Sequence, residues 1–118
     1  MVIYKRFGFD AAHYLPNVPQ GHKCKNMHGH TYSLVVFIDG PLIEPEGWVM
    51  DYADLKAAVN KIITLVDHQL LNDIPGLENP TAEVIAQWFF HMLEPLLPGL
   101  VKIELNETPT SGVMYEGK

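Results

Sequence analysis

From His30 to Ile38 the residues alternate so regularly that only extended backbone accommodates them. Tyr32, Leu34, Val36 and Ile38 fall on one side and Ser33, Val35 and Phe37 on the other, the two-residue period of a strand with one face buried. Asp39-Gly40-Pro41 ends the run. Residues 2–12, with Ile3, Tyr4, Phe7 and Phe9, read as a second strand, and residues 14–27, with Pro16, Asn17, Pro19, Gly21 and Asn26, as the loop between them.

After a connection through Trp48 and Val49 the period changes. Asp51 is placed as an N-cap, with Asp54 three residues on in a weak capping box. Leu55, Val59, Ile62, Ile63 and Val66 then recur at helical spacing up to Asp67-His68. Asn79-Pro80 is the expected start of a second helix, proline first and Glu83 in the first turn, with Val84, Ile85, Trp88, Phe89, Met92 and Leu96 as its buried stripe. Pro95 and Pro98-Gly99 stop it. Val101, Ile103 and Leu105 alternate as a third strand, and Val113–Tyr115 is a short fourth. Trp48 and Trp88 are expected to pack, and His22 and His91 to be packed or surface residues.

The order strand, strand, helix, helix, strand, strand (ββααββ) is an α+β fold: a four-stranded antiparallel sheet with two helices on one face, one domain over residues 1–118. Such a sheet keeps two open edges and a poorly covered second face, which proteins seldom leave unprotected. Association of several copies into a closed barrel is the economical repair.

The 118 residues carry a net charge of −6, which argues against a general nucleic-acid binder, since such a protein needs a basic face. Apolar runs such as Leu34–Ile38 are too short to span a bilayer. Met1–Arg6 has no secretion-signal pattern, and Cys24 is the single cysteine; the expected location is the cytoplasm.

His28-Gly29-His30 stands at the entry to the best strand. Side chains two apart on extended backbone point the same way, so both imidazoles can meet one ion, and Gly29 removes bulk from the opposite side. Pairing of the two strands brings His13 to that face. Three histidines with no fourth protein donor make a catalytic zinc site with an open position, although imidazole also suits copper, nickel and iron. Cys24 lies four residues before His28, between Lys23 and Lys25, whose charge favours a thiolate. It reads as a base or nucleophile, or else as a fourth zinc ligand in a closed site. Asp67-His68 reads as a proton shuttle or as a plain helix C-terminal cap, and Glu107 as a carboxylate able to grip an amino-pyrimidinone edge or as an ordinary strand-end glutamate. Lys23, Lys25, Lys5 and Arg6 are the cations available to an anionic substrate.

Together, Phe9-Asp10-Ala11-Ala12-His13, Cys24-x3-His28-Gly29-His30, Leu65–Asn72, Glu78–Glu83 and Asn106-Glu107-Thr108 resemble the 6-pyruvoyl-tetrahydropterin synthase superfamily in order and spacing. The short Cys-x3-His-Gly-His spacing is most similar to its bacterial 6-carboxy-5,6,7,8-tetrahydropterin synthase branch. The resemblance implies the T-fold, a barrel closed by oligomerisation in a homohexamer built as a dimer of trimers, with active sites at subunit interfaces. It implies Zn2+ on His13, His28 and His30, Cys24 as thiolate base, His68 as relay with Asp67 orienting it, and Glu107 as pterin anchor. The implied substrate is 7,8-dihydroneopterin triphosphate, converted by a carbon–carbon lyase to 6-carboxytetrahydropterin with release of acetaldehyde and triphosphate, on the route to queuosine. A pyruvoyl product is the alternative within the enzyme class, and a non-catalytic pterin- or metal-binding module the alternative outside it.

Overall fold

The computed structural model describes residues 1–118 as one antiparallel sheet of four strands in sequential order. The strands are β1 (Val2–His13), β2 (His28–Asp39), β3 (Leu100–Thr108) and β4 (Ser111–Tyr115), and two helices, α1 (Tyr52–Val66) and α2 (Ala82–Leu93), are inserted between β2 and β3. Short 3-10 turns at Lys23–Lys25 and Leu71–Asp73 punctuate the connections.

Strand periodicity transfers directly into register. Phe9, Ala11 and His13 alternate inward along β1, opposite Tyr32, His30 and His28 of β2. Tyr32, Leu34, Val36, Ile38, Ile103 and Leu105 form the buried sheet face, each at most 2% exposed. The helices cover that face. Leu55, Val59, Ile62, Ile63 and Val66 are the buried side of α1, as their spacing requires, and the Asp51 carboxylate caps the helix by accepting from the Ala53 N–H at 2.8 Å.

The second helix departs from the expectation in two ways. Thr81, two residues after Asn79, is the N-cap; its hydroxyl accepts from the Val84 N–H at 3.2 Å, so Pro80 lies outside the helix. A hydroxyl that satisfies an otherwise orphan donor outweighs a favourable φ at proline. The buried stripe is Ala82, Ile85, Ala86, Phe89, Phe90 and Leu93, the face turned to the sheet. Val84 and Trp88 pack only at its margin, and Met92 and Leu96 are exposed. Trp48 is likewise not a packing residue, being 42% exposed. After α2 the chain turns at Gly99. Its φ of +93° suits only glycine, and an added Cβ would fall 2.6 Å from the Asp39 carbonyl oxygen.

The other sheet face has no helix over it. Tyr4 and Met114 are 58% and 69% exposed there. The radius of gyration, 15.4 Å, exceeds the roughly 13.5 Å of a compact chain this long, because the sheet extends beyond its helical cover. No helix is long and apolar enough to cross a membrane.

Candidate metal centre

Extended backbone delivers the three histidines to one point. His13 and His28 are register partners across β1 and β2, and His30 follows at the next inward position. Their ring centroids lie 4.6, 4.9 and 5.1 Å apart, all edge to face. The Glu107 carboxylate joins them from the irregular end of β3, its Oε1 3.1 Å from His13 Nε2 and 2.9 Å from His30 Nε2. The four side chains offer ligand atoms within 4.8 Å of one another. The histidine convergence matches the reading of the sequence. The carboxylate does not, since the fourth donor weighed from the sequence is Cys24 and not Glu107.

Two backbone carbonyls decide what this cluster can hold. His13 Nδ1 lies 2.8 Å from the Pro80 carbonyl oxygen and His28 Nδ1 lies 2.7 Å from that of Asn26. A carbonyl only accepts, so each Nδ1 carries the hydrogen, and in the neutral ring each Nε2 presents a bare lone pair. These two Nε2 atoms face each other at 3.0 Å. Two lone pairs at that distance repel unless positive charge sits between them. His30 Nε2 is buried and, although near Glu107, makes no directed hydrogen bond. Carbonyl-locked tautomers with outward Nε2 atoms are the usual outer support of metal-bound imidazoles. The residues fit a divalent cation.

The electrostatics agree. Burial lowers the pKa of His30, the direction that keeps a ligand neutral. Glu107 is held below the usual carboxylate range, first by its contact with His13, so it brings negative charge to the cluster. Tyr32, raised by desolvation, stays a neutral phenol, its hydroxyl 3.3 Å from His13 Nδ1. Tyr32 and the Pro80 carbonyl are supports that the sequence reading missed. Tyr32 was findable, being the next inward position after His30; a backbone carbonyl leaves no mark in a sequence.

Cys24 opens onto the same site. A cavity of about 510 Å3 is walled by Lys23, Cys24, His28, His30, Glu107, Thr108 and Ser111. The half-buried thiol stands outside the four-residue donor group, which disfavours it as a ligand. Its turn is fixed by His22 Nδ1, which accepts from the Cys24 N–H at 3.1 Å. The flanking lysines separate: Lys25 donates to the carbonyls of Pro16 and Val18 at 3.0 and 2.9 Å, so only Lys23 lines the cavity. Arg6 opens on the opposite sheet face and contacts Ser33 Oγ at 3.3 Å. A Cβ at Gly29 would meet Ala11 O at an ordinary 3.7 Å, so glycine is not needed there for fit within the chain.

Asp67 and His68 do form a pair, His68 Nδ1 lying 3.1 Å from Asp67 Oδ2. Neighbours on a helix point apart, but His68 lies beyond α1 with φ 59°, which turns its ring back onto the carboxylate. The pair is tied to β1, since Asp67 Oδ1 accepts from the Asp10 N–H at 3.0 Å and the His68 N–H donates to the Asp10 carbonyl at 2.6 Å. His68 faces a second cavity, of about 530 Å3, bordered by Asp10, Gly29, Thr31 and Gln69 and sharing His30 with the first. Within one chain Cys24 and His68 do not share a cavity.

A family model described as 6-pyruvoyl tetrahydropterin synthase matches residues 2–118. The chain belongs to the 6-pyruvoyl tetrahydropterin synthase family. As a family member it is an enzyme of the pterin-synthase class. It is 42% identical over 120 residues to a Synechocystis sp. protein named 6-carboxy-5,6,7,8-tetrahydropterin synthase, covering 97% of this chain and 92% of that one. It is also 39% identical over 103 residues to a Pyrococcus furiosus protein named dihydroneopterin monophosphate aldolase, covering 87% and 82%. The structure of Caenorhabditis elegans 6-pyruvoyl tetrahydropterin synthase superposes with a TM-score of 0.92 at 28% identity, covering 100% of this chain and 96% of that one. The family's T-fold is thus the fold of this chain.

Proposed function

We propose that this family member converts 7,8-dihydroneopterin triphosphate to 6-carboxy-5,6,7,8-tetrahydropterin, releasing acetaldehyde and triphosphate, on the route to 7-deazaguanines and queuosine in the cytoplasm. The observation that carries the reading is the pair of tautomer-locked imidazoles meeting at 3.0 Å, one of which, His28, lines a cavity that also contains a thiol. The identity to the Synechocystis protein of that name supports the product.

His13, His28 and His30 hold zinc, which when bound supplies Lewis acidity that lowers the pKa of the substrate's side-chain hydroxyls and adjacent C–H. Cys24 as thiolate takes a proton at the substrate side chain. His68 carries protons at the relay, and Asp67 fixes its ring through the 3.1 Å contact. Glu107 accepts the paired N–H groups of the pterin edge, and Lys23, which lines the cavity, is the cation offered to the leaving triphosphate. Because Cys24 and His68 open onto different cavities, a neighbouring copy provides the relay pair, in a hexamer made of two trimers.

Incubation with dihydroneopterin triphosphate, followed by product mass and an acetaldehyde assay, tests the reaction. A pyruvoyl product without acetaldehyde transfers the chain to the alternative synthase. Turnover confined to the monophosphate transfers it to the activity named for the Pyrococcus relative, and no turnover leaves a binding module.

Glu107→Gln separates two roles for the carboxylate. As pterin anchor, its loss raises KM at unchanged zinc content. A fall in bound zinc instead assigns it to the metal and closes the site.

Asp67 yields a pH prediction. Its carboxyl is held below the ordinary range, chiefly by the Asp10 N–H and then by His68. A carboxylate depressed in the folded state stabilises above its unfolded pKa, about 3.9, and loses that contribution as pH falls through the folded value. The gap in thermal midpoint between the native protein and Asp67→Asn is therefore present at pH 6–7 and closes in acid below about pH 4. A gap constant down to pH 3 contradicts the assignment.

A further inference from the structure

We propose that Asn72 is the positioning residue that sets zinc ligand His13, acting from outside the metal's contacts; this rests on the metal reading above. The stretch that follows α1 zips along the end of β1 and just beyond it, taking alternate residues from Asp10 to Tyr14. Asp10 binds Asp67 and His68, the Ala12 N–H donates to the Gln69 carbonyl at 3.0 Å, and Tyr14 meets Asn72. A parallel bridge between Ala12 and Leu70 marks the same track. Ala11 and His13 lie at the alternate positions, turned inward.

Asn72 closes this zipper with its side chain. Its Oδ1 accepts from the Tyr14 N–H at 3.0 Å and its Nδ2 donates to the Tyr14 carbonyl at 2.8 Å, so the amide pairs with the peptide beside His13 as another strand would. The same Nδ2 reaches the Glu78 carbonyl at 3.4 Å. Two residues further on, the Pro80 carbonyl accepts the His13 Nδ1 hydrogen at 2.8 Å. Asn72 thereby fastens both the backbone from which His13 projects and the segment that supplies the carbonyl fixing its tautomer. Gly76 adds rigidity, its N–H donating to both Glu78 carboxylate oxygens at 2.9 and 3.0 Å. The Asn72 amide touches none of the three imidazoles, Glu107 or Cys24. Without it, His13 has more orientations open to its ring, and zinc must select the one that binds.

The readout is zinc affinity, measured on folded protein by competition with a chromogenic chelator and needing no turnover. Asn72→Ala is expected to weaken zinc binding about 10- to 100-fold, the usual size of an outer-support loss. Asn72→Asp, isosteric and still able to accept from the Tyr14 N–H, is expected to shift in the same direction and decides the matter if the alanine variant does not fold. Val59→Ala, a core truncation in α1, controls for general destabilisation and is expected to bind zinc as the native chain does. Affinity within twofold of native in the Asn72 variants, or an equal loss in Val59→Ala, overturns the proposal. Native protein that takes up no zinc overturns it together with the metal reading. Native protein that binds zinc but turns over no pterin defeats the proposed reaction alone, and the affinities still decide the role of Asn72.

Discussion

In Cys24→Ala, turnover of dihydroneopterin triphosphate falls by about 10²- to 10⁴-fold, the usual weight of a positioned general base, while zinc stays at native stoichiometry. The argument is one of placement. Cys24 shares a cavity wall with His28, His30 and Glu107 yet lies outside the group whose ligand atoms converge, so its removal leaves every donor in place. The thiol is half-buried on a short turn held by the His22 imidazole and by the Lys25 ammonium, none of which depends on sulfur. A small side-chain truncation there leaves the fold intact, and the kinetic loss reads as chemistry. His28→Ala is the contrasting arm, because it deletes an Nε2 that faces His13 at 3.0 Å and is expected to strip the metal and activity together. Metal analysis beside kcat for both variants gives the answer. Loss of zinc from Cys24→Ala would make the sulfur a fourth ligand and the site a closed structural one.

What could be read from the sequence follows from the range over which each signal acts. The pairing of His13 with His28 was legible because two-residue alternation fixes which side chains share a face, and a hairpin register carries that phase across strands. The α1 stripe was legible for the same reason at helical spacing. The start of α2 was not, since Pro80 and Thr81 both suit a helix entrance and only the bond that the Thr81 hydroxyl accepts from the Val84 N–H separates them. Glu107 escaped as a partner of the histidines because β3 and β4 slip register between Asn106 and Thr108, and no strict period predicts where a side chain points at such a slip. The Asp67–His68 contact depended on a left-handed residue and on capture by Asp10, fifty-seven positions away from Asp67. Those contacts belong to the tertiary fold, and local pattern is silent about them.

Mixed oligomers carry the second large effect. Cys24→Ala and His68→Ala are each expected to be nearly inactive alone. Unfolded together in equal amounts and refolded, they are expected to recover about one quarter of native activity per chain, given a closed ring in which each site draws on two neighbours. The arithmetic is short. A working site needs Cys24 from one chain, present in half of them, and the Asp67–His68 pair from the next, present in half of those. The geometry behind it is the separation of the two groups into different cavities at the β1–β2 end, together with a sheet whose second face is exposed at Tyr4 and Met114 and whose β4 edge pairs with no further strand of the chain. In the proposed assembly, further copies would cover the exposed Tyr4 and Met114 and bring one chain's His68 toward another's thiol. Sizing of the refolded mixture confirms that the assembly re-formed. A mixture at native size that stays at the single-variant background means each His68 serves its own Cys24, and the shared site must then be abandoned in favour of a movement of the loop between β1 and β2.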